Sequence, residues 1–344
     1  MTHLKKRWIH VVSLIVILAF IVPVMAGCSS SSSATTTTKQ PITFADLSWD
    51  SAMVHNRIAA FILENGFGYP KSVYTAGDTI PLTAGLAKGD IDVNMEVWYE
   101  NQQDAVDGFV KAGQIEELSV NYDDDWQGFL VPTYMITDGD LPKDISVDNI
   151  GQYWQLFKDP EDPSKGAFYS CIPGWSCGPI NETKFKTYGL DQNFNIILPG
   201  SGAALLASMK AAYEKHQPWF GYYWAPTEAL GELDMTPVAE PAFNQATWDK
   251  DKGCAYPAVS VRVYANDAWA AKQPADVINF LKSYKTTTAQ NNDFLGYMDA
   301  NSATHEDAAI YFLKKYKDTW TKWVSADVAK KVEDALAALP SPTS

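Results

Sequence analysis

Ile42-Thr43-Phe44-Ala45-Asp46-Leu47-Ser48-Trp49 reads as an alternating strand, and Asp50 or Ser51 then caps a helix over about 52–64. The apolar stripe of that helix is Val54, Ile58, Phe61 and Ile62, and Gly66 stops it. Residues 72–75 form a second short strand, followed by a helix through Leu82, Leu86 and Ala87 that ends at Gly89. Residues 92–98 are a third strand and lead into a helix around 102–112. A β-α-β-α-β order predicts a parallel sheet covered by helices. Residues 129–136 read as a strand that leaves this lobe. Between about Asp140 and Pro257 the pattern restarts, with helices over 179–188 and 203–215 and a strand over 219–224. Residues 259–264 are again β-rich, and the rest is helical up to Ala338. The second lobe is thus an insertion, and two chain crossings join the lobes. Such a hinge is what a closing cleft needs.

Length agrees with two lobes: the chain has 344 residues, and single cores stop growing at about 250–300. It is 46% hydrophobic and 20% charged, a globular composition. With 27 Lys plus Arg against 41 Asp plus Glu, the formal charge of −14 excludes a nucleic-acid binder, whose partner demands a basic surface. Twelve Trp, 17 Tyr and 15 Phe are a high aromatic content, enough for a core and for a ligand surface besides.

The first residues read as an export signal. Lys5, Lys6 and Arg7 are a basic opening, and Val11 to Val24 run 14 residues without a charge. A membrane span needs about 20 apolar residues, so residues 1–27 read as a signal peptide. The stretch ends in Met25-Ala26-Gly27-Cys28, which resembles a lipobox with Cys28 as the acylated residue; Met25 is a less usual first member. Ser29–Ser33, Ala34 and Thr35–Thr38 follow as a low-complexity polar tether, counted over 28–40. Removing the signal subtracts three basic residues, so the mature charge is 24 − 41 = −17. The mature protein is expected outside the cytoplasm, lipid-anchored to the cell membrane.

Export also bears on the cysteines. Cys171 and Cys177 lie six apart and can form a disulfide in an oxidising compartment, worth roughly 2 kcal/mol on the chain-entropy model; two free thiols are the alternative. Cys254 is left over and reads as a small buried hydrophobe.

An enzyme finds little support. There is no Gly-x-Ser-x-Gly elbow, His-Glu-x-x-His pair, phosphate-binding Walker loop or dinucleotide fingerprint. The mature chain holds only His55, His216 and His305, a thin supply for acid–base or metal work. The acidic run Asp123-Asp124-Asp125 reads as a solvated loop rather than a calcium site. No cofactor and no metal are expected.

The aromatic residues are more informative. Trp98 ends a strand, where doubly wound sheets place their ligands. Trp175 sits inside the short loop between Cys171 and Cys177, and Trp224 ends Trp219-Phe220-Gly221-Tyr222-Tyr223-Trp224. Gly178-Pro179 follows the loop, and proline favours the first position of a helix, so the N–H groups of Ser176, Cys177 and Gly178 are expected to face an anion there. An indole beside such a helix start suits a zwitterion.

Cys171-Ile172-Pro173-Gly174-Trp175-Ser176-Cys177 resembles the disulfide loop of ProX-like glycine betaine/proline betaine-binding proteins of ABC transporters, an OpuAC-type domain. Val97-Trp98 after Gly89-Asp90-Ile91-Asp92, and Tyr222-Tyr223-Trp224-Ala225-Pro226, fall where that family keeps its other cage tryptophans. Leu47-Ser48-Trp49-Asp50-Ser51 and Val131-Pro132-Thr133-Tyr134-Met135 are also similar to related betaine binders. The resemblance covers essentially the whole mature chain. It implies an α/β, two-lobed periplasmic-binding-protein fold, type II-like, a Venus flytrap with each lobe a sheet flanked by helices. Residues 41–133 and 259–344 would form one lobe and 134–258 the inserted one. It further implies that Trp98, Trp175 and Trp224 cage the cation and that the main chain of Ser176 and Cys177 holds its carboxylate. Gln102 stands where some members have a histidine on that carboxylate; an amide donates a hydrogen bond but carries no charge. The function implied is that of a monomeric receptor for a quaternary ammonium compatible solute, partnered by an ABC permease and its ATPase. Choline, carnitine or another small cation is the alternative ligand. A carbohydrate stacked on the same tryptophans is the alternative from another class.

Overall fold

The computed structural model describes residues 39–339; the signal peptide, Cys28 and all but the end of the tether lie outside them. Nine strands occur among the described residues: β1 (Thr43–Leu47), β2 (Val73–Gly77), β3 (Val93–Trp98), β4 (Ile115–Pro132), β5 (Gly166–Tyr169), β6 (Phe194–Ile197), β7 (Gly221–Ala225), β8 (Met235–Pro237) and β9 (Val259–Asn266). They lie in the order β2-β1-β3-β9-β4-β7-β5-β6, with β8 on β4. The expected parallel start is present: β1 pairs in parallel with both β2 and β3. β5 likewise pairs in parallel with β6 and β7.

The helices of the first half are α1 (Asp50–Asn65), α2 (Thr79–Lys88) and α3 (Gln103–Lys111). α1 is capped one residue before Asp50 and two before Ser51, the expected caps: Trp49 is its extended N-cap and Asp50 already lies inside. α2 ends as expected at Gly89, whose φ of 83° is the left-handed geometry that glycine adopts without penalty. Six further helices from Asp267–Ala270 to Ala326–Ala338 complete this half with one 3-10 turn, and two of them open with a capping box, at Thr287 and Thr304.

β4 differs most from the sequence expectation. It runs 18 residues from Ile115 to Pro132 rather than over 129–136, and Tyr134–Thr137 is a short helix, α4. One strand serves two neighbours in turn: residues up to Asp125 pair antiparallel with β9, and Trp126–Leu130 pair antiparallel with β7. The chain therefore leaves one half of the sheet within β4 and comes back into it at β9. Apolar side chains divide accordingly. Ile58, Phe280 and Phe312 belong to one cluster with β1 and β3, whereas Phe129, Phe168, Phe185 and Phe220 pack ring against ring in another around β4, β5 and β7.

α5 (Cys177–Thr187) starts two residues earlier than the proline rule suggests, with Ser176 as N-cap, so Pro179 is its third residue. Having no N–H to lose in the first turn, proline fits there too. α6 (Gly202–Glu214) is capped by the Ser201 hydroxyl, which accepts the Ala204 N–H at 3.1 Å. Cys171 and Cys177 are disulfide-bonded, and Cys254 is a buried free thiol.

One charge is fully buried in the second cluster. The Lys184 ammonium lies 2.6 Å from Glu240, donates to the Cys254 carbonyl, and sits over the Tyr256 ring at 4.8 Å. Tyr188 donates to the same Glu240 oxygen at 2.9 Å. Removing one member of such a set leaves an uncompensated buried charge. Glu240→Gln should destabilise the protein by about 3–5 kcal/mol in chemical denaturation, whereas the double change Lys184→Met with Glu240→Leu should cost much less. Equal losses would show that the pair is not the source of the effect.

Candidate functional site

Four tryptophans stand at or just beyond the carboxyl ends of strands. Trp49 follows β1, Trp98 closes β3, Trp175 lies in the Cys171–Cys177 loop after β5, and Trp224 is next to last in β7. All four line one narrow cavity with about 30 Å³ of free volume, together with Tyr222, Asn101, Thr79, Ser176 and Cys177. Trp98, Trp175 and Trp224 are almost fully buried. The ring of Trp175 meets Trp224 at 5.1 Å and 85° and Trp49 at 5.5 Å and 84°, so the walls meet as corners.

Three of the four rings, Trp49, Trp98 and Trp175, are held by their N–H. In β3 the side chains of Glu96 and Trp98 share a face, two residues apart. The Trp98 indole donates to Glu96 Oε1 at 3.0 Å, and the Trp49 indole donates to the same oxygen at 2.7 Å. Ser51, in the first turn of α1, adds a third donor at 3.0 Å. Trp175 donates across to Ser48 Oγ at 3.0 Å, and Ser48 in turn donates to Asp78 at 2.6 Å. The loop that carries Trp175 touches the β1–α2 side again where Ile80 N–H donates to the Gly174 carbonyl at 3.2 Å. Only glycine serves at 174: φ is 97°, and a Cβ would lie 2.8 Å from that of Asp78.

The residues expected at the site are therefore largely brought together. Trp98, Trp175, Trp224, Ser176 and Cys177 share the cavity wall. Ser176 and Cys177 stand at the start of α5, where the first turn leaves its N–H groups without intrahelical acceptors. Gly178 departs from expectation, since its N–H turns back to the Trp175 carbonyl at 3.3 Å. Gln102 is not on the wall; its side-chain oxygen accepts the Thr83 hydroxyl at 2.8 Å. Its neighbour Asn101 reaches the cavity instead, clasped to Gln127 by two reciprocal bonds of 3.0 Å. Tyr222, whose hydroxyl donates to Gln127 at 2.8 Å, was missed although it sits two residues before Trp224 on the same face of β7. Trp49 ends the strand expected from the sequence as Trp98 does, and the same signal identifies it.

Below the cavity lies a buried acid and a buried base. Burial raises the Glu96 proton affinity, and the hydrogen bonds from Trp49, Trp98 and Ser51 work against that. His55 Nδ1 is 2.8 Å from the Tyr284 hydroxyl and its Nε2 is 4.0 Å from Glu96 Oε2. Burial lowers the His55 pKa to about 3, so the imidazole is neutral. Among the described residues no cluster of three or more His, Cys, Asp or Glu could hold a metal, and no helix is long and apolar enough to cross a membrane.

A cavity walled by aromatic rings on a sheet of two halves is suited to hold a small solute. The family model for the substrate binding domain of ABC-type glycine betaine transport systems matches residues 40–315, and the chain belongs to that family. Among curated relatives, it is 24% identical to the trimethylamine N-oxide-binding protein of Pelagibacter ubique, over 90% of this chain and 98% of that one. It is 27% identical to the glycine betaine/proline betaine-binding periplasmic protein of Escherichia coli, over 74% and 77% of the two chains. A solved ABC-transporter choline-binding protein in complex with choline shares the fold, with a TM-score of 0.70 at 18% identity over 86% of this chain and 98% of that one. The protein binds a small solute for an ABC transporter and is not an enzyme.

The neutral His55 has a consequence for stability. Its pKa falls from 6.5 in the unfolded chain to about 3 in the folded one, so below about pH 6.5 the unfolded state binds the extra proton and stability falls with pH. Glu96, whose pKa is raised, acts in the opposite sense, because protonation relieves its buried charge. Between pH 7 and 5 the wild type should lose about 2 kcal/mol more than His55→Asn, from 1.5 pH units of His55 titration. Equal losses in urea unfolding at the two pH values would contradict a neutral, buried His55.

Proposed function

We propose that this chain is the lipid-anchored, extracytoplasmic receptor of an ABC importer for a quaternary ammonium compatible solute, glycine betaine or proline betaine, taken up as an osmoprotectant. The observation that carries the reading is the meeting of Trp175 with Trp49 and Trp224 at 84° and 85°. Sugars stack on an open, flat aromatic face; walls at right angles enclose a compact, rounded group such as trimethylammonium. Each indole face attracts a desolvated cation by up to about 2 kcal/mol. In this reading Trp98, Trp175 and Trp224, joined by Trp49, box the cation, and the main-chain N–H groups of Ser176 and Cys177 receive the carboxylate at the start of α5. Gln102 acts from behind Thr83 rather than on the ligand. The lobes, expected as 41–133 with 259–344 and 134–258, are drawn with the first boundary at about 125, where β4 passes from β9 to β7; they close around the ligand as a monomer and present it to a membrane permease driven by its ATPase. The relatives named for trimethylamine N-oxide and for glycine betaine/proline betaine support a methylated nitrogen as the recognised group.

Tryptophan fluorescence titration tests the ligand. Glycine betaine should bind well, with dimethylglycine and glycine falling off as methyl groups are lost. Choline, trimethylamine N-oxide and glucose identify the alternatives. Trp98→Ala, Trp175→Ala and Trp224→Ala should each weaken binding about 30-fold. Trp126→Ala, at an exposed side chain, should leave binding unchanged. Trp320 is no control: it is fully buried, with its indole on the Leu313 carbonyl at 2.7 Å. Equal affinity for glycine and glycine betaine, or an unaffected Trp175→Ala, removes the cage.

The anchor is tested separately. Cys28→Ala should move the protein from the membrane fraction to the soluble one, with mass spectrometry finding a lipid-modified Cys28 at the mature amino terminus of the wild type. A membrane-bound Cys28→Ala protein with an unmodified terminus would overturn it.

A further inference from the structure

Trp49 and Trp98 stand on a carboxylate that is itself hidden from the cavity. Glu96 is 1% exposed, yet its Oε1 collects the N–H of Trp49, the N–H of Trp98 and the hydroxyl of Ser51. Indole nitrogen only donates, so this oxygen has to remain an acceptor for both rings to be satisfied. Three donors on one oxygen favour the ionised carboxylate. The other oxygen, Oε2, has no hydrogen-bond partner among the described residues. It faces His55 at 4.0 Å, a neutral ring, and the Tyr122 hydroxyl lies beside the carboxylate. Among the described residues no Lys or Arg forms an ion pair with Glu96. A buried carboxylate lacking a cation of its own is costly. It has its place if a cation arrives on the far side of the rings it holds.

We propose that Glu96 is both the shared anchor of Trp49 and Trp98 and the counter-charge of the caged cation, and so a specificity-determining residue for charged over neutral headgroups. The inference rests on the cage reading above. Two roles follow from one side chain. By position, the carboxylate fixes the two ring planes. By charge, it favours a positive group about an indole's width away; at an effective dielectric of about 20 that discriminates roughly 10- to 50-fold against a neutral group of the same shape.

Glycine betaine and 3,3-dimethylbutanoate separate the roles, because they have the same shape and carboxylate and differ only in carbon for charged nitrogen. Affinities of both for the full mature chain are measured by calorimetric displacement, with folding checked by circular dichroism. Glu96→Gln keeps an acceptor and loses the charge, so the preference for glycine betaine should fall about tenfold or more. Glu96→Asp keeps the charge and loses reach, so both ligands should weaken together with the preference held within about threefold. A Glu96→Gln protein whose preference is unchanged, or which loses both ligands in equal proportion, overturns the counter-charge. If Glu96→Gln does not fold, Glu96→Asp decides alone, and a collapsed preference overturns the proposal. If the wild type does not bind glycine betaine, the ligand reading fails by itself; choline against 3,3-dimethylbutanol then puts the same question to Glu96.

Discussion

An indole enclosed on both faces still has one N–H to place, and that requirement orders this site. The ring of Trp175 is oriented by Ser48, and those of Trp49 and Trp98 by Glu96. None of these acceptors lines the cavity, so the ring faces turned to it stay apolar while these three anchoring bonds point outward. Two core tryptophans are placed in the same way: Trp219 donates to Ser208 and Trp320 to the Leu313 carbonyl. What distinguishes the site is that Glu96 gathers Trp49 from another element as well as Trp98 from its own strand, and that Trp175 reaches Ser48 across 127 positions of sequence. Ring geometry there is consequently a property of the whole fold.

Topology explains how four rings from four segments converge. Each follows or ends one of β1, β3, β5 and β7, strands that run parallel within their own half of the sheet and so point their carboxyl ends at a common region. β4 then joins the halves, pairing with β9 on one side and β7 on the other. Because a single strand spans both pairings, register in one half constrains register in the other. Gln127 shows the result. It lies on the β7-paired stretch of β4, yet it clasps Asn101 from the turn after β3 and accepts from Tyr222 of β7.

Much of this was legible in the sequence because local signals agreed with the tertiary outcome. Gly89 as the stop of α2 and the strand-end position of Trp98 and Trp224 are short-range features that packing leaves alone. β4 was not legible. Its first two-thirds carry Glu116, Glu117 and the acidic run at 123–125, a composition that reads as solvated loop, and its pairing alternates between two sheets instead of presenting one apolar face. Long-range hydrogen bonding to β9 overrides the weak local preference. Gln102 was misplaced for a related reason. Counting four residues from Trp98 assumes a continuous element, but a 3-10 turn over Tyr99–Asn101 intervenes and turns Gln102 toward Thr83. Glu96 left no separate signal, since a single acid in an apolar strand identifies its partners only when the fold supplies them.

The Cys171–Cys177 loop couples the walls of the cavity to the approach of the two halves. Its Trp175 forms two corners, its Gly174 carbonyl accepts from the start of α2, and Gly202 at the start of α6 would bring a Cβ to 3.2 Å from the Trp175 ring. The disulfide holds both ends of the loop in one body, so Trp175 cannot retreat from Trp49 without also breaking its bond to Ser48 and the Gly174–Ile80 contact. On the proposed reading, opening of the cleft would therefore also open the cage. A ligand that fills the corner would then make its contacts only in the closed form, and by that difference would favour closure. A solute too flat or too polar for the corner would gain nothing from closing. Selectivity of this kind would reside in the equilibrium between the two forms as much as in the contacts themselves.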